Sequence, residues 1–91
     1  MAVPGSGKDF NVSVISPERR LFEGTAKFLV VPAHDGEIGI LHGHAPLMAL
    51  LGDGTLRVET GSGTRRFNVS GGFLQVIGNQ ASVLSERAEE I

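Results

Sequence analysis

Cysteine is absent from this 91-residue chain. That one absence excludes disulfide staples, thiolate nucleophiles and zinc–thiolate sites together, and it fits a reducing compartment. Tryptophan and tyrosine are absent too, and the five phenylalanines lie in strand-like patterns, so no aromatic platform for stacking bases is present. Basic residues never run beyond a pair (Arg19-Arg20, Arg65-Arg66) and the formal charge is −2, which argues against nucleic acid as a partner. The longest apolar run is Ala45 to Leu51, far short of the ~20 residues that span a bilayer as a helix. Residues 1 to 9 lack the apolar core of a signal peptide and the arginine-rich character of a transit peptide, and read as a flexible N-terminus. Any membrane association is therefore expected to be indirect.

A chain of this length makes one domain, burying roughly 60–65% of its unfolded surface, so a partner adds usefully to a thin stability margin. Phe10 to Ile15 alternates as a half-buried strand, ended by Ser16-Pro17; a short extended piece then reaches a turn at Gly24. Thr25 to Val31 sets Phe28 and Val30 against Lys27 and Leu29, stopping at Pro32. Glu37 to Leu41 reads as a short strand. Ala45 to Leu51 suits a strand or two helical turns, with the surrounding pattern favouring strand. Thr55 to Thr60 and Thr64 to Val69 flank a three-residue loop, Gly61-Ser62-Gly63, and Phe73 to Ile77 and Gln80 to Leu84 flank Gly78-Asn79. Ser70-Gly71-Gly72 reads as a bulge or tight bend. The expected fold is all-β, a flattened sandwich or barrel of short, mostly antiparallel strands over residues 10–85. Ser85, with Glu86, Glu89 and Glu90 behind it, reads as a helix N-cap, so residues 86–91 are expected to start a C-terminal helix that is truncated or absent.

Candidate chemistry is sparse. His42 and His44 have a chelating spacing with His34 and Asp35 nearby, but no third ligand has fixed geometry and Gly43 and Pro46 indicate a turn. These histidines read better as polar contacts in a loop that meets another protein. Asp35 and Glu37 are surface acids on a glycine turn, suited to complementing a basic loop on a partner rather than to acid–base catalysis. Gly5-Ser6-Gly7-Lys8 fails as a phosphate loop, because Asp9 follows the lysine and no strand precedes it. No catalytic, cofactor or metal site emerges.

The most distinctive stretch is residues 36 to 47, Gly-Glu-Ile-Gly-Ile-Leu-His-Gly-His-Ala-Pro-Leu, in which glycines and a proline shape a stiff surface loop. Together with Ser16-Pro17-Glu18-Arg19-Arg20-Leu21-Phe22-Glu23-Gly24, Gly54-Thr55-Leu56-Arg57 and Phe67-Asn68-Val69-Ser70-Gly71-Gly72-Phe73-Leu74, it resembles the epsilon subunit of F-type ATP synthases. The resemblance implies a non-catalytic rotor subunit of the central stalk, peripheral on the cytoplasmic face of a bacterial plasma membrane. Its β-sandwich is expected to bind the gamma subunit and the c-ring, coupling rotation driven by protons or sodium ions to ATP synthesis. Carried over by position, His34, Asp35, Gly36 and Glu37 are expected to face the ring. Ser16, His42, His44 and Leu47 are expected near gamma or at the gamma–ring junction. The family's C-terminal helical hairpin, which inhibits ATP hydrolysis and in some members binds ATP, lies beyond these residues. Two other readings compete: a stand-alone β-sandwich that binds a small ligand or peptide, and a metal-dependent enzyme built on His34, His42 and His44.

Overall fold

A computed structural model describes residues 8–91; most of the expected N-terminal segment, and with it nearly all of the phosphate-loop lookalike, lies outside them. The eight elements are all strands: β1 (Phe10–Ile15), β2 (Arg20–Ala26), β3 (Phe28–Ala33), β4 (Gly36–Ile40), β5 (Leu47–Leu50), β6 (Gly54–Thr60), β7 (Gly63–Ile77) and β8 (Gln80–Glu90). They pair in the order β2-β1-β8-β7-β6-β3-β4, with β5 joined to β7 off this path. Every pairing is antiparallel except β1 with β8. The sheet folds over one core into a slab of 39 × 27 × 19 Å, its thinnest dimension close to two sheet layers. The expected all-β flattened sandwich is the observed fold.

One bend makes two layers from one sheet. The first part of β7 pairs with β6 from Gly63 to Val69, and the second pairs with β5 from Phe73 to Val76. Between them, Gly71 and Gly72 have φ of 69° and 105°. The bend also changes which residues face inward: Phe67 and Val69 before it, Leu74 and Val76 after it, all buried. Side chains alternate strictly along a strand, so only an irregularity can move the buried set from odd to even positions. β8 makes the same change opposite, from Ala81, Val83 and Ser85 to the half-buried Ala88. The ladder joins Ser70 to Arg87 and Gly72 to Ser85, leaving Gly71 and Glu86 unpaired between them. The buried Ser85 hydroxyl donates to the Arg87 carbonyl at 2.5 Å and accepts the Ser70 N–H at 3.3 Å. No buried side-chain polar atom lacks a partner among the described residues.

Several expectations are corrected. Residues 86–90 are strand, not the start of a helix. Five residues cannot repay helix nucleation alone, whereas pairing with Phe67 to Ser70 supplies backbone partners and a core contact for Ala88. Arg65 fastens the end. Its Nη2 donates to Glu90 Oε1 at 2.8 Å, its guanidinium lies 5.2 Å from the Phe22 ring centroid, and the Ile91 N–H reaches the Arg66 carbonyl at 2.9 Å. The β6–β7 loop has two residues, not three, since Thr60 pairs with Gly63. Gly24 lies within β2, opposite Val12 and against the Phe22 ring, rather than at a turn. β3 continues through Pro32, and Leu29 and Val31 join the main core cluster, whereas Phe28 and Val30 lie on the other side of the strand, Val30 buried there and Phe28 half-buried. Phe28 lies over Gly39 on the outer face, where a β-carbon would come within 3.2 Å of its ring.

Candidate functional site

Three places gather the candidate residues. At the β3–β4 turn, His34 and Asp35 are the two turn residues, and Gly36 and Glu37 open β4. All four are exposed. Neither Asp35 nor Glu37 is ion-paired among the described residues, so both charges face solvent at the tip. The His34 N–H donates to the Leu50 carbonyl at 2.9 Å, and Ala33 bridges to Leu51. The end of β5 thus fixes the acidic tip.

The second place is the loop into the other end of β5. Gly43 has φ of 82°, and the His44 N–H donates to the Leu41 carbonyl at 3.1 Å, the pattern of a turn whose third residue is glycine. The Gly43 N–H donates to Asn79 Oδ1 at 2.6 Å. His44 Nδ1 lies 2.7 Å from the Ala45 carbonyl. A carbonyl only accepts, so that bond places a proton on Nδ1 and leaves Nε2 directed elsewhere. Leu47 follows, half-buried and paired with Val76. No cluster of three His, Asp or Glu side chains able to hold a metal occurs among the described residues.

Ser16 stands apart. It is 8% exposed, and its hydroxyl accepts the Arg19 N–H and meets the Arg19 carbonyl, each at 3.3 Å. The Asn79 turn lies at the opposite end of β1, where the Asn11 N–H reaches the Asn79 carbonyl. A five-residue stretch of strand, roughly 17 Å, therefore separates Ser16 from the histidine loop. Ser16 shapes the β1–β2 turn. The structure brings His42, His44 and Leu47 together but not Ser16 with them.

The third place was missed in the sequence. On the outer face beside the acidic tip, Met48 is 64% exposed, Leu50 67% and Ile77 55%, with Phe73 between them. The register sets Met48 beside Gln75 and Leu50 beside Phe73. Across β8 the same face carries Gln80, Ser82 and Leu84, and across β1 it carries Asn11, Ser13 and Ile15. No charged side chain occupies any of these positions. The first charges appear on β2, where Arg20 and Glu23 pair with each other. The other outer face differs: Arg57, Glu59 and Arg66 alternate there with Thr55 and Thr64. A sheet face without charge over four strands, with Met48, Leu50, Phe73 and Ile77 exposed at its β5–β7 side, is the kind of surface that suits a protein interface. The clue lay in Ala45 to Leu51, apolar at both parities although at the edge of its pairing.

Residues 9–91 match the family described as "ATP synthase, Delta/Epsilon chain, beta-sandwich domain". The chain belongs to that family. Among curated relatives, the ATP synthase epsilon chain of Syntrophomonas wolfei is 46% identical over 81 residues, covering 88% of this chain and 59% of that one. The epsilon chain of Pelotomaculum thermopropionicum is 39% identical over 89 residues, covering 94% and 66%. The chain spans about three fifths of the length of such relatives. The fold is also that of a chain in the Euglena gracilis mitochondrial ATP synthase OSCP/F1/c-ring structure, with a TM-score of 0.84 at 20% identity, covering 99% of this chain and 56% of that one. A chain of the Tetrahymena thermophila ATP synthase central stalk/c-ring structure superposes with a TM-score of 0.72 at 15% identity, covering 92% and 68%. This Delta/Epsilon-family sandwich carries its acidic tip, histidine loop and uncharged face at the two ends and along the side of β5.

Proposed function

We propose that this β-sandwich acts in the central stalk of an F-type ATP synthase as a non-catalytic rotor part. It grips the gamma subunit and rests on the c-ring, so that ion-driven rotation of the ring reaches the catalytic head. Gamma is assigned to the uncharged face of β5, β7 and β8 together with the histidine loop. The ring is assigned to His34, Asp35, Gly36 and Glu37. In a bacterium this places the chain on the cytoplasmic face of the plasma membrane, held there by the ring; no helix among the described residues is long and apolar enough to cross a membrane.

The observation that carries this reading is the side-by-side placement of a broad face without charge and a rigid tip with two free carboxylates. A tight grip needs an apolar core at the interface, of more than roughly 1,000 Å². A contact with polar loops of the ring needs complementary charge instead. The two surfaces meet at Leu50, whose side chain is on the face and whose carbonyl holds the tip. Reconstitution tests the proposal: the purified chain is mixed with its cognate gamma subunit, and the pair is offered to membranes containing the ring. Capture of gamma and joint attachment to the membranes are expected. A chain that ignores gamma under these conditions overturns the assignment.

A further inference from the structure

The histidine loop is held from outside itself. Of the groups in its turn, the Gly43 N–H alone points across to another hairpin, at 2.6 Å from Asn79 Oδ1. Asn79 is the second residue of the β7–β8 turn, with φ of 61° after Gly78 at 55°. Its carbonyl meanwhile accepts the Asn11 N–H at 2.9 Å, at the start of β1. One residue thus ties the β7–β8 turn, the first strand and the loop that leads into β5.

The turn itself does not need this side chain. With positive φ at both central positions this is a type I′ hairpin turn, for which the favoured order places asparagine before glycine. Here the order is reversed, and a second glycine at position 79 would meet the backbone demand with less strain. What glycine cannot supply is the acceptor for the Gly43 N–H. We propose that Asn79 is a positioning residue for the His42–Gly43–His44 loop, fixing the loop in the form that gamma meets. The proposal rests on the assignment of that loop to gamma. It concerns how the loop is presented, not what the loop contacts. With the anchor in place, the His44 ring is set by its own bond to Ala45, and Leu47 enters β5 in register with Val76. Without it, the loop keeps its internal bonds, Leu41–His44 and the His44 ring to Ala45, but loses its tie to the β7–β8 turn and samples other orientations before binding, which lowers affinity by the fraction of time spent elsewhere.

Asn79→Gly and Asn79→Asp separate the anchor from the turn. Glycine keeps the positive φ and removes the acceptor; aspartate keeps an acceptor and tolerates the same φ. Amide hydrogen exchange by NMR on the full chain is the first readout, and affinity for cognate gamma is the second. For Asn79→Gly, unfolding temperature is expected at or near the wild-type value. Exchange at Gly43 should rise on the order of three- to tenfold, the worth of one such bond, and gamma affinity should fall by a similar factor. Asn79→Asp should recover most of both. Unchanged Gly43 exchange in Asn79→Gly overturns the proposal, as does an Asn79→Asp variant no better than the glycine variant. Faster exchange with undiminished gamma affinity overturns the binding part. If the wild-type chain does not bind gamma at all, the assignment of the loop falls instead, while the exchange arm still decides whether Asn79 holds it.

Discussion

Replacing Gly72 by alanine tests the bend on which both layers depend. A β-carbon built at Gly72 lies 1.9 Å from the Leu84 carbonyl oxygen and 2.8 Å from the Ser85 α-carbon, both main-chain atoms of the paired strand. To reach ordinary contact distance, the two backbones must separate by more than an ångström where Gly72 pairs with Ser85. Overpacking of this kind costs about 1–3 kcal/mol, and the φ of 105° adds about 1–2 kcal/mol for a residue with a β-carbon. The expected loss is about 2–5 kcal/mol. At about 4–8 °C per kcal/mol for a domain of this size, the midpoint should fall by at least about 8 °C. Gly78→Ala is the control. It has a positive φ of 55° but nothing within 4 Å of the new atom, so only the backbone term of about 1 kcal/mol remains. Without tryptophan or tyrosine the chain has little useful fluorescence, so thermal and urea unfolding are followed by far-ultraviolet circular dichroism. Equal losses in the two variants would refute the reasoning, because the Leu84 contact would then contribute nothing.

Three further outcomes follow from the surfaces and the strand end. Leu50→Glu leaves unfolding within about 0.5 kcal/mol of wild type, since the side chain is 67% exposed, yet weakens gamma binding at least about tenfold by burying an unpaired charge; titration calorimetry with gamma checks this, and retained affinity removes the face from the interface. Glu37→Gln keeps the fold and lowers coupling of ATP hydrolysis to ion pumping in reconstituted vesicles; unchanged coupling removes the tip from the ring contact. Glu90 is held below its usual carboxylate range by its hydrogen bond to Arg65, so its small contribution is present above the unfolded value and lost as pH falls through the lower folded one. Glu90→Gln should flatten that part of the stability–pH curve, and an unaltered curve would dismiss the clasp.

How much could be read in advance depended on whether a residue's partner was near in sequence. Gly78-Asn79 and the alternation on either side define a hairpin by themselves, and the structure contains it. Phe10 to Ile15 showed its buried face through Phe10, Val12 and Val14. The strand end did not. Ser85 and its following glutamates have real helix-start chemistry, but the Arg65 clasp and the ladder to Phe67–Ser70 lie about 20 residues away in sequence and outweigh it. The β3 parity failed for a related reason: Phe28 looks like a core residue until Gly39, diagonally across on β4 and opposite Val30, gives its ring a place on the outer face. At the site, the tip and the histidine loop were visible as motifs, whereas the uncharged face exists only once β5, β7, β8 and β1 are set side by side. The placement of Ser16 in a sealed turn was likewise a matter of tertiary packing.

On the proposed function, the bend at Gly72 also bears on how this small domain would transmit torque. A flat sheet with one apolar face would leave the acidic tip at the far end of a flexible ribbon. Folding β7 and β8 back instead places β5 at the margin of one layer, with Leu51 donating to the Gly72 carbonyl at 2.9 Å and Gly52 donating to the Pro32 carbonyl at 2.8 Å. Those bonds join β5 to the bend on one side and to the β3–β4 hairpin on the other. On the proposed reading, force applied at the tip passes through the His34–Leu50 bond into β5, then into the face that gamma covers, without crossing an unpaired loop. A core packed to crystal-like density behind that path yields little. On that reading, the stiffness that rotation needs arises from the same irregularity that turns one sheet into two layers, and weakening the bend should impair transmission before it abolishes binding.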